Sequence, residues 1–166
     1  TLFACATLSY THAAENKTIR ISTDNTDLVL QVGDNGRLYQ TYLGEKLLHE
    51  QDLNNFQWNI HAGADGSVSK RGWEVYGGSG NEDYFEPAIA ITHNDGNPST
   101  MLYYVSSSSK AVEGGTETVV NLRDDQYPVD VILHYVAYPK ENVIKTWSEI
   151  KHQEKKPVLL STYASA

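Results

Sequence analysis

The residues of this chain best suited to chemistry are aromatic rings set among carboxylates and amides. Trp58, Trp73, Tyr76, Asp83 and Tyr84 all fall in a glycine-rich stretch between Gly44 and Glu86. Sugars stack their apolar C–H faces on such rings, while carboxylates and amides take the hydroxyls. These five are therefore the candidate carbohydrate-binding or active-site-rim residues. The competing reading makes Trp73 and Tyr84 core or interface anchors, since such rings bury a large apolar body and keep one polar end.

Other chemistries find less support. Carboxylates cluster at Glu82, Asp83 and Glu86 and at Asp124 and Asp125. A glycoside hydrolase needs two carboxyl groups roughly 5 to 10 Å apart across a sugar. Neighbours on a strand point to opposite faces, and Asp124 and Asp125 are explained as turn residues. The six histidines, at positions 12, 49, 61, 93, 134 and 152, show no metal-ligand spacing. Oxygen-rich turns at Asp24, Asn25 and Asp27, or at Asp34 and Asn35, could take calcium, yet neither matches an EF-hand loop. The serine run 106–109 lacks a nucleophile elbow and reads as a strand end and loop. The glycine cluster 77–80 opens no helix and reads as a flexible turn. No catalytic residue, metal site or cofactor is assigned.

The elements that must position the rings are short alternating segments punctuated by turn residues. Strands are expected over 27–32 and 37–43, joined by the Gly33-Asp34-Asn35-Gly36 hairpin signal. Further strands are expected over 87–92 and 100–106, with 94–98 turning one back on the other. The second half repeats the scheme over 117–122, 129–137, 143–150 and 157–164. Val129, Val131, Leu133, Tyr135 and Ala137 face one way. His134 is expected to be solvent-facing or packed on the sheet. Leu47, Leu48, Leu53 and Phe56 allow a turn or two of helix. The fold class is all-β: a two-layer antiparallel β-sandwich with a long irregular central loop.

The bulk properties bound the partners. The chain has 166 residues, 40% of them hydrophobic, and a net charge of -8. That size suits one domain with a real core. The acidic balance argues against nucleic acid and against anionic membrane surfaces. One cysteine, Cys5, permits no internal disulfide. Residues 1–14 hold an apolar run from Leu2 to Leu8 and read as a signal-peptide remnant or as a first strand, with 15–166 as the sandwich. The first reading expects export to the periplasm or the exterior. The run around Cys5 also resembles a lipoprotein box. No stretch is long enough for a membrane-spanning helix. The chain stops at Ala166 shortly after an apolar strand, which suggests a larger parent protein.

Several motifs, in order, resemble the N-terminal β-sandwich domain of glycoside hydrolase family 36, the α-galactosidases. Tyr42-Leu43-Gly44-Glu45-Lys46 is similar to the family's Tyr-x-Gly-Lys hairpin end. Trp73-Glu74-Val75-Tyr76-Gly77 is similar to its Tyr-Pro-x-Tyr-Gly, with Glu74 in place of the proline. Asp83-Tyr84-Phe85-Glu86-Pro87-Ala88-Ile89 resembles Asp-Phe-Arg-x-Pro-Ala-Leu, with Phe85 in place of the arginine. Tyr103-Tyr104-Val105-Ser106 matches a further strand. The resemblance runs from about Lys17 to Ala166 and implies a supersandwich-like domain. It implies a parent enzyme that hydrolyses terminal α-galactosides with retention, through two aspartates on a (β/α)₈ barrel outside this chain. By that resemblance the domain packs on its own C-terminal barrel, supports a homo-oligomer and lends a loop to an active-site rim, and alone it is inactive. Two alternatives stand beside it. One is a freestanding carbohydrate-binding module with a Trp58/Trp73 platform. The other is a structural, protein-binding sandwich.

Overall fold

The computed structural model describes residues 17–54, 61–62, 68–69, 73–80 and 86–165. Twelve strands and one 3-10 turn lie among them. Strands β1 (Thr18–Ser22), β2 (Thr26–Val32), β3 (Leu38–Glu45) and β6 (Trp73–Glu74) form one sheet in the order β1-β2-β3-β6. Strands β8 (Leu102–Val112), β9 (Gly115–Asp124), β10 (Val129–Tyr138) and β11 (Val143–His152) form a second, ordered β11-β10-β9-β8. Two small pairs complete the set, β4 (His61–Ala62) with β5 (Val68–Ser69) and β7 (Ile89–Thr92) with β12 (Leu159–Tyr163). Every strand pair is antiparallel.

Alternation makes the layers. On β10, Val129, Val131, Leu133, Tyr135 and Ala137 are all buried, as the sequence pattern requires. They meet Ile19 and Ile21 of β1, Leu28, Leu30 and Val32 of β2 and Leu38 of β3 in one core that also takes in Ile89, Ile91, Leu102, Val120 and Leu122. Each such side chain contributes about 1.5–3 kcal/mol of apolar burial. The layers are tied at one end, where the Thr23 hydroxyl donates to the Asn142 side-chain oxygen and the Asp24 amide to the Pro139 carbonyl. The chain segment after β3 crosses the outer face of the first sheet. Arg20 donates to the Leu47 carbonyl, and Gln31 to that of Leu53, beside the 3-10 turn Glu50–Asn54. That turn falls where a short helix was expected.

One core group is poorly served. The Tyr135 hydroxyl is buried and finds no hydrogen-bond partner among the described residues. Burial pushes its phenol far up from the ordinary tyrosine value, so it stays protonated with its O–H unspent. Removing an unsatisfied buried polar group is favourable where shape is kept. Tyr135→Phe is therefore expected to stabilise the fold by about 1 kcal/mol, read as a higher urea midpoint with an unchanged slope.

Three local expectations need correction. The segments around 87–92 and 100–106 do not form a hairpin. Strand β7 pairs with β12, and β8 pairs with β9. The intervening turn closes on itself, the His93 amide donating to the Asn97 carbonyl at 2.8 Å and the Gly96 amide to His93 at 2.9 Å. Pro98 then follows without an N–H to continue a ladder. Second, the glycine cluster is not a loose turn. Residues 77–80 insert between the two segments, with Ser79 donating to the Ile89 carbonyl and accepting at its own carbonyl from Thr100. A Cβ on Gly78 would lie 2.0 Å from the Thr100 carbonyl oxygen, so only glycine lets the three backbones approach this closely. Third, the serine run is strand. Ser106, Ser107, Ser108 and Ser109 pair with Asn121, Val120, Val119 and Thr118 after an irregularity at Val105.

Candidate functional site

Two surfaces could engage something outside the described fold. The first is the β7/β12 pair. Strand β12 leaves Leu159 (64% exposed), Leu160 (39%) and Tyr163 (72%) turned outward. The strand is nonetheless held firmly at its end. The Tyr76 and Ser148 hydroxyls both donate to the Ala164 carbonyl, at 2.7 and 2.8 Å, and the Ala164 amide donates to Ala88.

A buried polar clasp holds the approach to β12. Glu154, just ahead of it, receives the Asn94 amide at 3.0 Å and the Asn94 side-chain N–H. Its other oxygen lies 2.7 Å from Nδ1 of His93, and both side chains are almost fully shielded from solvent. His93 Nε2 faces the Ser99 carbonyl at 3.0 Å. The Thr100 hydroxyl also approaches Nε2, at 3.4 Å, so both ring nitrogens have partners. The ring stacks on Tyr127 with centroids 3.5 Å apart, and the Tyr127 hydroxyl donates to Asp95. Burial alone would raise the Glu154 carboxyl. The Asn94 amide and the His93 and Asn94 side chains outweigh it and hold that group below the usual carboxylate range.

The second surface is a shallow depression of about 350 Å³ on the outer face of the second sheet. It is lined by Val112, Glu113, Glu117, Val136, Tyr138, Lys145 and Trp147. Register builds it. Val136 on β10 sits opposite Glu117 on β9 and Lys145 on β11. One row toward the β10–β11 turn stands Tyr138; one row the other way stands His134, opposite Trp147. Same-face rows along a strand are about 7 Å apart. The two rings therefore flank a valine floor, with a carboxylate on one side and an ammonium on the other.

Local partners fix these groups. A Cβ on Gly115 would lie 2.2 Å from the Ala137 carbonyl oxygen, so the β8–β9 hairpin closes over Tyr138 only with glycine there. His134 stacks flat on Trp147, with centroids 4.6 Å apart and planes 7° apart, and does not itself line the depression. It is held by Glu117 at 2.9 Å and lies 3.3 Å from Glu149. Lys110 reaches the other Glu117 oxygen at 2.8 Å. Lys110 and His134 hold the Glu117 carboxyl below its ordinary value, so it is ionised at neutral pH. The Lys145 ammonium lies 5.3 Å from the Trp147 ring centroid.

Of the five residues singled out in the sequence, the structure describes Trp73 and Tyr76. Tyr76 is 1% exposed and packed in the core. Trp73 lies on β6, opposite Gln40. Trp58, Asp83 and Tyr84 lie outside the described residues, as do residues 1–14 with Cys5. Asp27, considered for calcium, gives its Oδ2 to Arg20 and to the Leu47 amide. Among the described residues no cluster of three or more His, Cys, Asp or Glu side chains could hold a metal. No helix among them is long and apolar enough to cross a membrane. Trp147, Tyr138, Glu117 and Lys145 escaped notice because they read as ordinary members of regular strands. The available signal was parity: His134 and Tyr138 occupy the positions of β10 that alternate with its core-facing residues.

Two antiparallel sheets closed over one core, with aromatic and apolar residues left outward, define a β-sandwich domain. Residues 36–166 match the family described as glycosyl hydrolase family 36 N-terminal domain, and the chain belongs to that family. The fold is similar to that of the GH36 α-galactosidase AgaA from Geobacillus stearothermophilus, with a TM-score of 0.74 at 20% identity over 90% of this chain and 24% of that one. AgaB from the same organism superposes with a TM-score of 0.72 at 18% identity, over 95% of this chain and 24% of the other. The α-galactosidase from Lactobacillus brevis gives 0.70 at 20% identity, over 90% and 23%. The chain thus spans about a quarter of the length of these enzymes. Among curated proteins, no match is found. Where the family's proline gives way to Glu74, the structure supplies a reason: its carboxylate receives Arg37 through two N–H groups, at 3.1 and 2.5 Å. That pair joins the start of β3 to β6.

Proposed function

We propose that this chain is the N-terminal domain of an α-galactosidase, an enzyme that removes terminal α-galactosides, and that its β7/β12 edge packs on the catalytic part of that enzyme. The carrying observation is the family membership together with β12, which presents Leu159, Leu160 and Tyr163 to solvent while its backbone is firmly bonded. A bare apolar edge strand invites uncontrolled association, and covering it with another layer removes that hazard. The similar structures bound to raffinose and to stachyose belong to α-galactosidases, which suggests oligosaccharides of that type as parent substrates. On this reading the domain supports assembly and the active-site rim, the catalytic aspartates lie elsewhere in the parent, and the parent is exported.

The test is a pair of substitutions in the parent enzyme, Leu160→Asp with Tyr163→Asp. Burying two carboxylates in an apolar contact is strongly unfavourable. The half-life of aryl α-galactosidase activity under mild heating is expected to shorten about tenfold, with the initial rate little changed. An unaltered half-life would remove the docking role. Hydrolysis of an aryl α-galactoside by the 166-residue chain alone would overturn the accessory reading.

A further inference from the structure

We propose that the depression on the outer face of the second sheet is a non-catalytic binding site for a neutral pyranose, with Trp147 as the stacking platform and Glu117 and Lys145 gripping the hydroxyls. The platform is prebuilt. His134 supports the indole from outside the depression and is itself fixed by Glu117. A ring held flat before a ligand arrives loses little freedom on binding, which favours affinity. On the depression side the long side chain of Lys145 reaches over the Trp147 ring, its ammonium 5.3 Å from the centroid.

The polar groups match a polyol. A carboxylate offers about four acceptor sites. Glu117 gives one oxygen to Lys110 and the other to His134, which leaves acceptor sites on both, and Glu113 adds a second acidic group to the lining. Lys145 brings three N–H donors on the opposite wall. Glu113 and Glu117 stand against Lys145 and Lys110, so the depression has no excess positive charge to draw an anionic sugar or phosphate. A hydroxyl-rich, uncharged ligand uses both kinds of group without stranding a charge. Tyr138 closes the far end one row beyond the valine floor, so the space suits one or two rings. The volume, about 350 Å³, lies near the lower limit of small-molecule sites, roughly 300–1,000 Å³.

The arrangement is a binding rather than a catalytic one, because the carboxylate flanking the floor is already held by Lys110 and His134 and, among the described residues, no second carboxyl faces it across the floor. The site would instead keep oligosaccharide near the enzyme. Its ligand class follows from the depression alone. The role beside an enzyme and the choice of galactosides as first probes rest on the proposed function.

The experiment uses the full chain in solution and follows the indole N–H signals of its tryptophans by NMR, with Trp147 assigned through Trp147→Phe. Methyl α-galactoside, raffinose and methyl α-glucoside are titrated separately. A saturable shift of the Trp147 signal with at least one sugar is expected. Trp147→Ala should weaken binding at least tenfold, in line with loss of an interface anchor, read on the remaining signals and by calorimetry. Lys145→Ala, which leaves the ring and its support in place, should weaken it about threefold. Binding of the glucoside alone would keep the site and count against the α-galactosidase reading. No shift at Trp147 with any of the three sugars would overturn the site, whatever activity the parent shows. Unchanged binding by Trp147→Ala and Lys145→Ala would overturn it equally.

Discussion

Replacing Asp27 with alanine is expected to cost about 3 kcal/mol of folding stability at neutral pH, measured by urea unfolding. The carboxylate is fully buried. Its Oδ2 receives Arg20 Nε at 3.0 Å, an Arg20 terminal nitrogen at 2.6 Å and the Leu47 amide at 2.7 Å. One oxygen therefore joins β1, β2 and the segment leaving β3. Alanine strands the Leu47 N–H and leaves Arg20 with the Leu47 carbonyl and a loose approach to Glu50 at 3.7 Å. Arg20 is still partly open to water, which keeps the cost at the lower end of what breaking a buried pair brings.

The pH dependence gives a sharper readout. Burial alone would raise the Asp27 carboxyl, but Arg20, Ser22 and the Leu47 amide together bring it below the ordinary aspartate value. A depressed folded-state value means that the stabilisation is complete above the unfolded-state range. It is lost as pH falls through the depressed value, when the folded carboxyl must take a proton. The wild-type chain should lose stability steeply through that acid window, and Asp27→Ala should show a shallower slope there. Parallel slopes for the two proteins would assign the carboxylate no special role in the fold.

Asp27 also shows how far the sequence could be read. Its alternation with Leu28 and Leu30 on β2 marks it as an outward residue, and outward polar residues read as solvated. It is buried because the segment after β3 folds back over that face, and no local pattern announces such a return. Strand existence was legible wherever alternation was strict, as along β10. The β2–β3 hairpin was legible because its turn needs the positive φ that Gly36 adopts, 76°. Pairing between distant strands was not. Strand β7 finds β12 rather than β8 because Pro98 interrupts the ladder and residues 77–80 occupy the space between. The outer depression was invisible for a related reason. Trp147 and Tyr138 come to flank one floor only through the cross-strand register that the 139–142 turn sets, and a one-residue slip of β11 would send Trp147 to the other face.

The clasp ahead of β12 supplies the last expected result, and it links stability to the proposed docking edge. Glu154→Ala removes the acceptor for His93 Nδ1, for the Asn94 amide and for the Asn94 side chain. The His93 ring cannot turn to find another partner, because it is stacked on Tyr127 and its other nitrogen is committed to Ser99. Buried hydrogen-bonding groups left unpaired cost about 2 kcal/mol, and the effect should be local before it is global. Strand β12 hangs on β7 through only four registered pairs and on Ala164 at its far end, so freeing Glu154 loosens the segment leading into it. Amide exchange of Leu159 and Leu160 should accelerate in Glu154→Ala while that of Leu133 in β10 stays slow. The Glu154 carboxyl is held low by the same donors, so wild type should approach the variant's exchange pattern as pH falls through the depressed carboxylate value. Glu154→Gln keeps an acceptor oxygen for one donor and should fall between the two. Uniform acceleration across β10 and β12 in the alanine variant would mean that the clasp belongs to the core's cooperative unit, and that the docking edge has no stability of its own to regulate.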